Sequence, residues 1–124
     1  MKLENEEHNN AFFCAINGIK SAIKTERNLK FDIFVAIVII ACGFLFRICL
    51  FEWLICILSI GVMLFAELMN TAIEAVVDLY TREKNRQAGI AKDISAGAVL
   101  VLSVNVAVVG IIIFVPKVYN IIIK

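Results

Sequence analysis

Glu67, Asn70, Glu74 and Asp78 recur at helical spacing in the middle of the chain. At about 100° per residue, offsets of 0, 3, 7 and 11 bring them onto one face, three turns long. Three carboxylates with an amide among them call for cations: a divalent metal, Lys or Arg partners, or both. The stripe continues directly from Trp53 to Ala66, a run free of charge. A carboxylate at that depth is expensive, and ionisable residues inside a span are functional by default. A solvated face where the helix leaves the membrane would suit Asp78 but fits Glu67 poorly.

Three smaller polar clusters complement the stripe: Glu26-Arg27-Asn28, Glu83-Lys84-Asn85 and Ala91-Lys92-Asp93. Taken alone, each is an ordinary interfacial charge group. Together with the stripe they supply carboxylates for a metal and cations for phosphate oxygens, the combination that phosphoryl transfer requires. Neither G-x-x-x-x-G-K-[ST] nor the kinase G-x-G-x-x-G occurs, so a nucleotide site here is unrelated to the usual phosphate loops. His8, the single histidine, stands in a polar tail, which sets aside zinc and histidine-assisted nucleophiles.

The elements that must position these residues follow from composition. Of 124 residues, 61% are hydrophobic and 19% charged, against about 45–50% apolar in a soluble domain. So short a chain cannot bury that surface in its own core, which excludes a monomeric soluble enzyme. Asn9 to Lys24 carries Phe12, Ile16, Ile19 and Ile23 at helical steps, as in an amphipathic helix lying on a membrane surface. Three apolar stretches follow, and a span needs about 20 residues. The expected fold is all-α and integral to the membrane, a single unit over residues 1–124. Its surface helix is expected at about 9–26 and its membrane helices at about 29–50, 53–80 and 92–115, with helices of several protomers in one bundle. Gly43, Gly61, Gly97 and Gly110 offer close-packing positions.

Nine of the 12 basic residues precede the first span or lie in the loop after the second; Arg47, Lys117 and Lys124 lie on the other side. The positive-inside rule places the N-terminus and the 80–93 loop in the cytoplasm. Net charge is +1, and no basic patch interleaved with aromatics points to nucleic acid. Cys14, Cys42, Cys49 and Cys56 form no C-x-x-C pair and read as small hydrophobes.

The string Glu67-x-x-Asn70-Thr71-Ala72-Ile73-Glu74-x-x-x-Asp78, followed by Ala91-Lys92-Asp93-Ile94-x-Ala96-Gly97-Ala98-Val99, resembles the prokaryotic diacylglycerol kinases and their close relatives, the undecaprenol kinases of Gram-positive bacteria. The similarity extends to Ala15-x-x-Gly18-Ile19 and Glu26-Arg27-Asn28, nearly the whole chain. It implies a homotrimer in the plasma membrane, with active sites shared between protomers, that transfers the ATP γ-phosphate to a lipid hydroxyl. By position, it implies that Glu26 and Glu74 hold Mg²⁺ with the ATP phosphates. Glu67 would accept the proton of the lipid hydroxyl or orient it, with Ala96 also at the lipid. Asn70, Asp78, Glu83, Lys84, Asn85, Lys92, Asp93 and Cys14 would complete the nucleotide site.

Four positions depart from the pattern. Lys30 stands where many relatives carry an arginine, Lys84-Asn85 where they often carry an aromatic and a histidine, and Ala15 where some place a serine. The Glu-Arg-Asn string, the spacing of Leu79, Thr81 and Glu83, and the Phe114-x-Pro116-Lys117 ending favour undecaprenol as acceptor, with diacylglycerol the other. A small oligomeric cation channel or transporter is the alternative. Against it, the carboxylates cluster toward one membrane face and the last span has no charge. A structural or regulatory membrane subunit leaves the acidic stripe unexplained.

Overall fold

The structure, a computed structural model, describes residues 11–123. Lys2, His8, Asn9, Asn10 and Lys124, and any expectation resting on them, lie outside the described residues. Among the described residues four helices follow one another: α1 (Ala11–Thr25), α2 (Arg27–Leu45), α3 (Leu50–Tyr80) and α4 (Arg86–Ile122). No strand occurs among the described residues. Three helices, α2, α3 and α4, are long and apolar enough to cross a membrane. Helix α4 packs along α3, α2 packs on α3 as well, and α1 touches both α2 and α3. Large apolar side chains stay exposed along every helix, Phe34, Leu58 and Ile112 among them, a surface that lipid tolerates and water does not.

The first span ends at Leu45, five residues before the expected boundary. Phe46 still bonds the Cys42 carbonyl at 2.8 Å, and Arg47 then turns left-handed, with φ 49°. The Ile48 N–H reaches back to the Gly43 carbonyl at 3.1 Å and the Arg47 N–H to that of Phe44 at 3.3 Å. This is a Schellman stop, built with arginine where glycine is usual. Cys49 then caps α3 reciprocally with Glu52, whose carboxylate accepts the Cys49 N–H at 2.8 Å. Cys49 is therefore a cap, whereas Cys56 is a small core hydrophobe beside Ile48 and Ile113; all four cysteines are free.

The last span departs in the opposite direction, starting at Arg86 and running past Pro116 to Ile122. Asn85 starts it, its side-chain oxygen accepting the Gln87 and Ala88 N–H groups at 2.9 and 3.2 Å. At the far end Lys117 pairs with Glu52 at 3.0 Å, tying the continuation beyond the proline to the start of α3.

Gly43 shows how tight this end is. A Cβ there would lie 2.7 Å from Trp53 Cη2 and 3.1 Å from Ile48 Cδ1, and the Phe44 ring is 4.9 Å from that of Trp53. Gly43→Ala is therefore expected to destabilise the protein by about 1–3 kcal/mol through overpacking. Thermal unfolding in micelles followed by circular dichroism checks this, and Trp53→Phe in the same chain should return part of the loss.

Candidate functional site

At the opposite end of the bundle, α3 carries the acidic stripe between α1, α2 and α4. Glu67 is buried, 5% exposed, and Glu74 is half-buried. Asn70 is oriented by both neighbours: its Nδ2 donates to Glu74 Oε1 at 3.0 Å, and its Oδ1 accepts the Ser95 hydroxyl of α4 at 2.6 Å. With the oxygen committed to Ser95, the amide nitrogen necessarily faces Glu74. One turn beyond, Lys92 of α4 forms an ion pair with Asp78. The stripe is thus locked to α4 at two levels.

Asp32 of α2 is the residue that spacing along α3 did not disclose. Its carboxyl lies within hydrogen-bonding reach of the Glu67 carboxyl, and its buried Oδ2 has no partner among the described residues. Glu26 and Glu74 are also near enough to interact electrostatically with Glu67. Asp32 stands at one end of an apolar groove of about 200 Å³ between α2, α3 and α4, lined by Phe31, Ile39, Ile60, Met63 and Val106. An apolar groove that carries one half-buried carboxyl, Asp32, beside the buried Glu67 suits an apolar chain ending in a hydroxyl.

A different cleft, of about 690 Å³, opens between α1 and α3. Glu26, Glu74 and Asp78 line it with Ala15, Gly18 and Thr71. Glu26 occupies the N-cap position of α2, yet its side chain makes no cap hydrogen bond, so its carboxylate is not spent on the helix. The ion pairs among the described residues are Lys92–Asp78 and Lys117–Glu52, which leaves Glu26 and Glu74 without a basic partner among them. No three acidic, His or Cys side chains converge there as a closed metal cage. Two carboxylates without a basic partner fit magnesium, a hard cation that takes one or two protein carboxylates and completes its shell with phosphate and water.

Beyond Asp78, Glu83, Lys84, Arg86 and Lys92 line an adjoining cleft of about 410 Å³ at the turn between α3 and α4. Asn85 lies there too, with its oxygen already committed to capping α4. Glu26, Glu67, Asn70, Glu74, Asp78 and Lys92 therefore gather at one end of the bundle, with Glu83, Lys84 and Asn85 beside them. Cys14 is exposed on α1 and is not among the cleft-lining residues. Asp93 and Ala96 are exposed on α4, and Ala96 is turned about 100° from Ser95, the α4 residue that meets Asn70. Lys30 is engaged elsewhere, its ammonium donating to the Lys24 carbonyl at 3.1 Å at the end of α1. Ser95 and Asp32 are the additions; the available signals were Ser95 at i+3 from Lys92 and a lone acid just ahead of an apolar span.

Helix geometry also sets depth. Measured from Leu50, Glu67 lies about 26 Å and Glu74 about 36 Å along α3 at 1.5 Å per residue, and the hydrocarbon core is about 30 Å thick. With Leu50 near one boundary, Glu67 falls just inside the other boundary and Glu74 just outside it. On that placement the same helix holds one carboxylate at the depth of the hydrocarbon, inside the bundle, and the next at the depth of water.

Comparison with known proteins converges on the same chemistry. Residues 13–114 match the family described as Prokaryotic diacylglycerol kinase. The chain is 40% identical to the undecaprenol kinase of Bacillus subtilis, over 93% of this chain and 99% of that protein. It is 33% identical to a diacylglycerol kinase of Synechocystis, over 81% of this chain and 58% of that protein. With the diacylglycerol kinase of Haemophilus influenzae it shares 31% identity, over 81% of this chain and 86% of that one.

Proposed function

Since the chain belongs to the prokaryotic diacylglycerol kinase family of membrane lipid kinases, we propose that it transfers the γ-phosphate of ATP, with magnesium, to the hydroxyl of undecaprenol at the cytoplasmic face of the plasma membrane. One observation carries the reading: an apolar groove with Asp32 in its lining, beside Glu67, and a second cleft lined by Glu26, Glu74 and Asp78 both border α3. The first suits a lipid alcohol and the second a nucleotide. The working assembly is a homotrimer whose single functional unit spans the chain.

The lipid hydroxyl enters beside Glu67, which accepts its proton as the new oxygen–phosphorus bond forms and the bond to the ADP oxygen breaks. Asp32 faces Glu67 and orients the acceptor end of the groove. Glu26 and Glu74 would hold magnesium, whose charge when bound offsets that of the phosphate oxygens. Asn70, fixed by Ser95, keeps Glu74 in place. Lys92, set by Asp78, and Lys84 bring positive charge to the nucleotide. Positioning and electrostatics supply most of the rate, with proton transfer the smaller part.

Undecaprenol is favoured by the 40% identity over the whole length of a named undecaprenol kinase. The test offers undecaprenol and diacylglycerol together, in mixed micelles with labelled ATP. Label is expected chiefly in the polyprenyl product. Predominant label in the glyceride would reassign the acceptor, and label in neither would overturn the kinase reading. Chelating magnesium in the same assay should remove the activity. Magnesium should restore it and calcium should not, because calcium prefers more ligands at longer distances.

A further inference from the structure

Asp32 of α2 and Glu67 of α3 hold their carboxyls within hydrogen-bonding reach of each other, and no cation stands between them. Neither forms an ion pair among the described residues. Helix α4, the third wall of the groove, has no charged residue from Ile94 to Val115. The basic residues of α1 and of the start of α2, Lys20, Lys24, Arg27 and Lys30, are all exposed. Glu26 and Glu74, the other charged groups that act on Glu67, are acids as well.

An ionised carboxylate only accepts hydrogen bonds. Two of them facing each other beside an apolar groove would repel and leave the oxygens between them unbonded. Glu67 is 5% exposed, and Asp32 Oδ2 is buried and unpartnered among the described residues. A single proton resolves both problems: it gives Oδ2 a hydrogen bond to Glu67 and halves the charge of the pair.

We propose that Asp32 is a positioning residue for phosphoryl transfer, holding one proton in a hydrogen bond to Glu67 and leaving the second Glu67 oxygen for the lipid hydroxyl. The role rests on the reading above, in which Glu67 accepts the hydroxyl proton. A group that takes up a proton must start without one, so the proton of the pair belongs to Asp32. As the acceptor oxygen bonds to phosphorus and the bond to the ADP oxygen breaks, the hydroxyl proton moves to Glu67. The pair then holds two protons and no charge, and release of one to water resets it.

The purified chain in micelles at neutral pH is expected to show an infrared band of a protonated carboxyl that is lost in Asp32→Asn and equally in Glu67→Gln. A parent without the band, or a band that survives either substitution, overturns the shared proton. Asp32→Leu should lower kcat by about 10–100-fold, the scale of one hydrogen bond to a charged group, with KM for ATP and the helical spectrum unchanged. Asp32→Asn keeps an N–H donor at that place and should lose about tenfold less. Added to Glu67→Gln, Asp32→Leu should cost little more, because the two groups act as a unit. Equal losses for Asp32→Asn and Asp32→Leu, or full additivity with Glu67→Gln, overturn the positioning role and leave Glu67 the acceptor. Activity lost in Asp32→Asn yet kept in Glu67→Gln makes Asp32 the acceptor and overturns both readings.

Discussion

Glu74→Gln is expected to reduce ATP-dependent lipid phosphorylation by about 10²–10³-fold or more, the scale seen when one preorganised electrostatic group is lost from an active site. The fold should survive, because a glutamine carbonyl still accepts the Asn70 Nδ2 hydrogen that Glu74 Oε1 accepts at 3.0 Å. What disappears is a negative charge in the α1–α3 cleft, one of two carboxylates there without a basic partner among the described residues. The loss should be largest at low magnesium and partly relieved as magnesium is raised, with the helical circular-dichroism spectrum unchanged. Most of the activity surviving at every magnesium concentration would remove Glu74 from metal binding. Glu26→Gln should behave alike, since its side chain makes no cap bond whose loss would weaken α2.

Glu67→Gln should act on a different quantity. A positioned base contributes about 10²–10⁴-fold, so kcat is expected to fall by that order while KM for ATP stays near the parent value. The protein should not unfold, because the new amide can donate to Asp32, whose buried Oδ2 is otherwise unpartnered among the described residues. Rapid-quench measurement of the phosphoryl-transfer step, beside nucleotide binding by equilibrium dialysis, separates the two effects. An unchanged transfer rate would leave Glu67 a packing role. A weakened ATP affinity with normal transfer would move it from the acceptor half of the site to the donor half.

The number and order of the helices were legible because each is a long apolar run, and hydrocarbon admits little else. Their ends were less so. The stop after Leu45 depends on Arg47 adopting a left-handed conformation, for which its side chain is no signal, and the start at Arg86 lies in a polar stretch that hydropathy does not mark. In the site, the row from Glu67 to Asp78 could be read because one helix sets its period. Asp32 and Ser95 could not be placed that way. Their positions depend on how α2 and α4 are shifted along α3, and inter-helix register is a property of packing that no periodicity within one helix encodes.

With Leu50 at one boundary, Glu67 and Glu74 fall on either side of the other on one unbroken helix, so on the roles proposed above the thickness of the bilayer becomes a variable of catalysis. A thicker membrane submerges the carboxylate proposed to meet a hydrated cation, and a thinner one floods the carboxyl pair proposed to receive the lipid hydroxyl. Tilt and local lipid deformation absorb part of any mismatch at modest cost, but neither changes the seven residues between the two acids. Turnover should therefore pass through an optimum as acyl-chain length is varied in reconstituted vesicles.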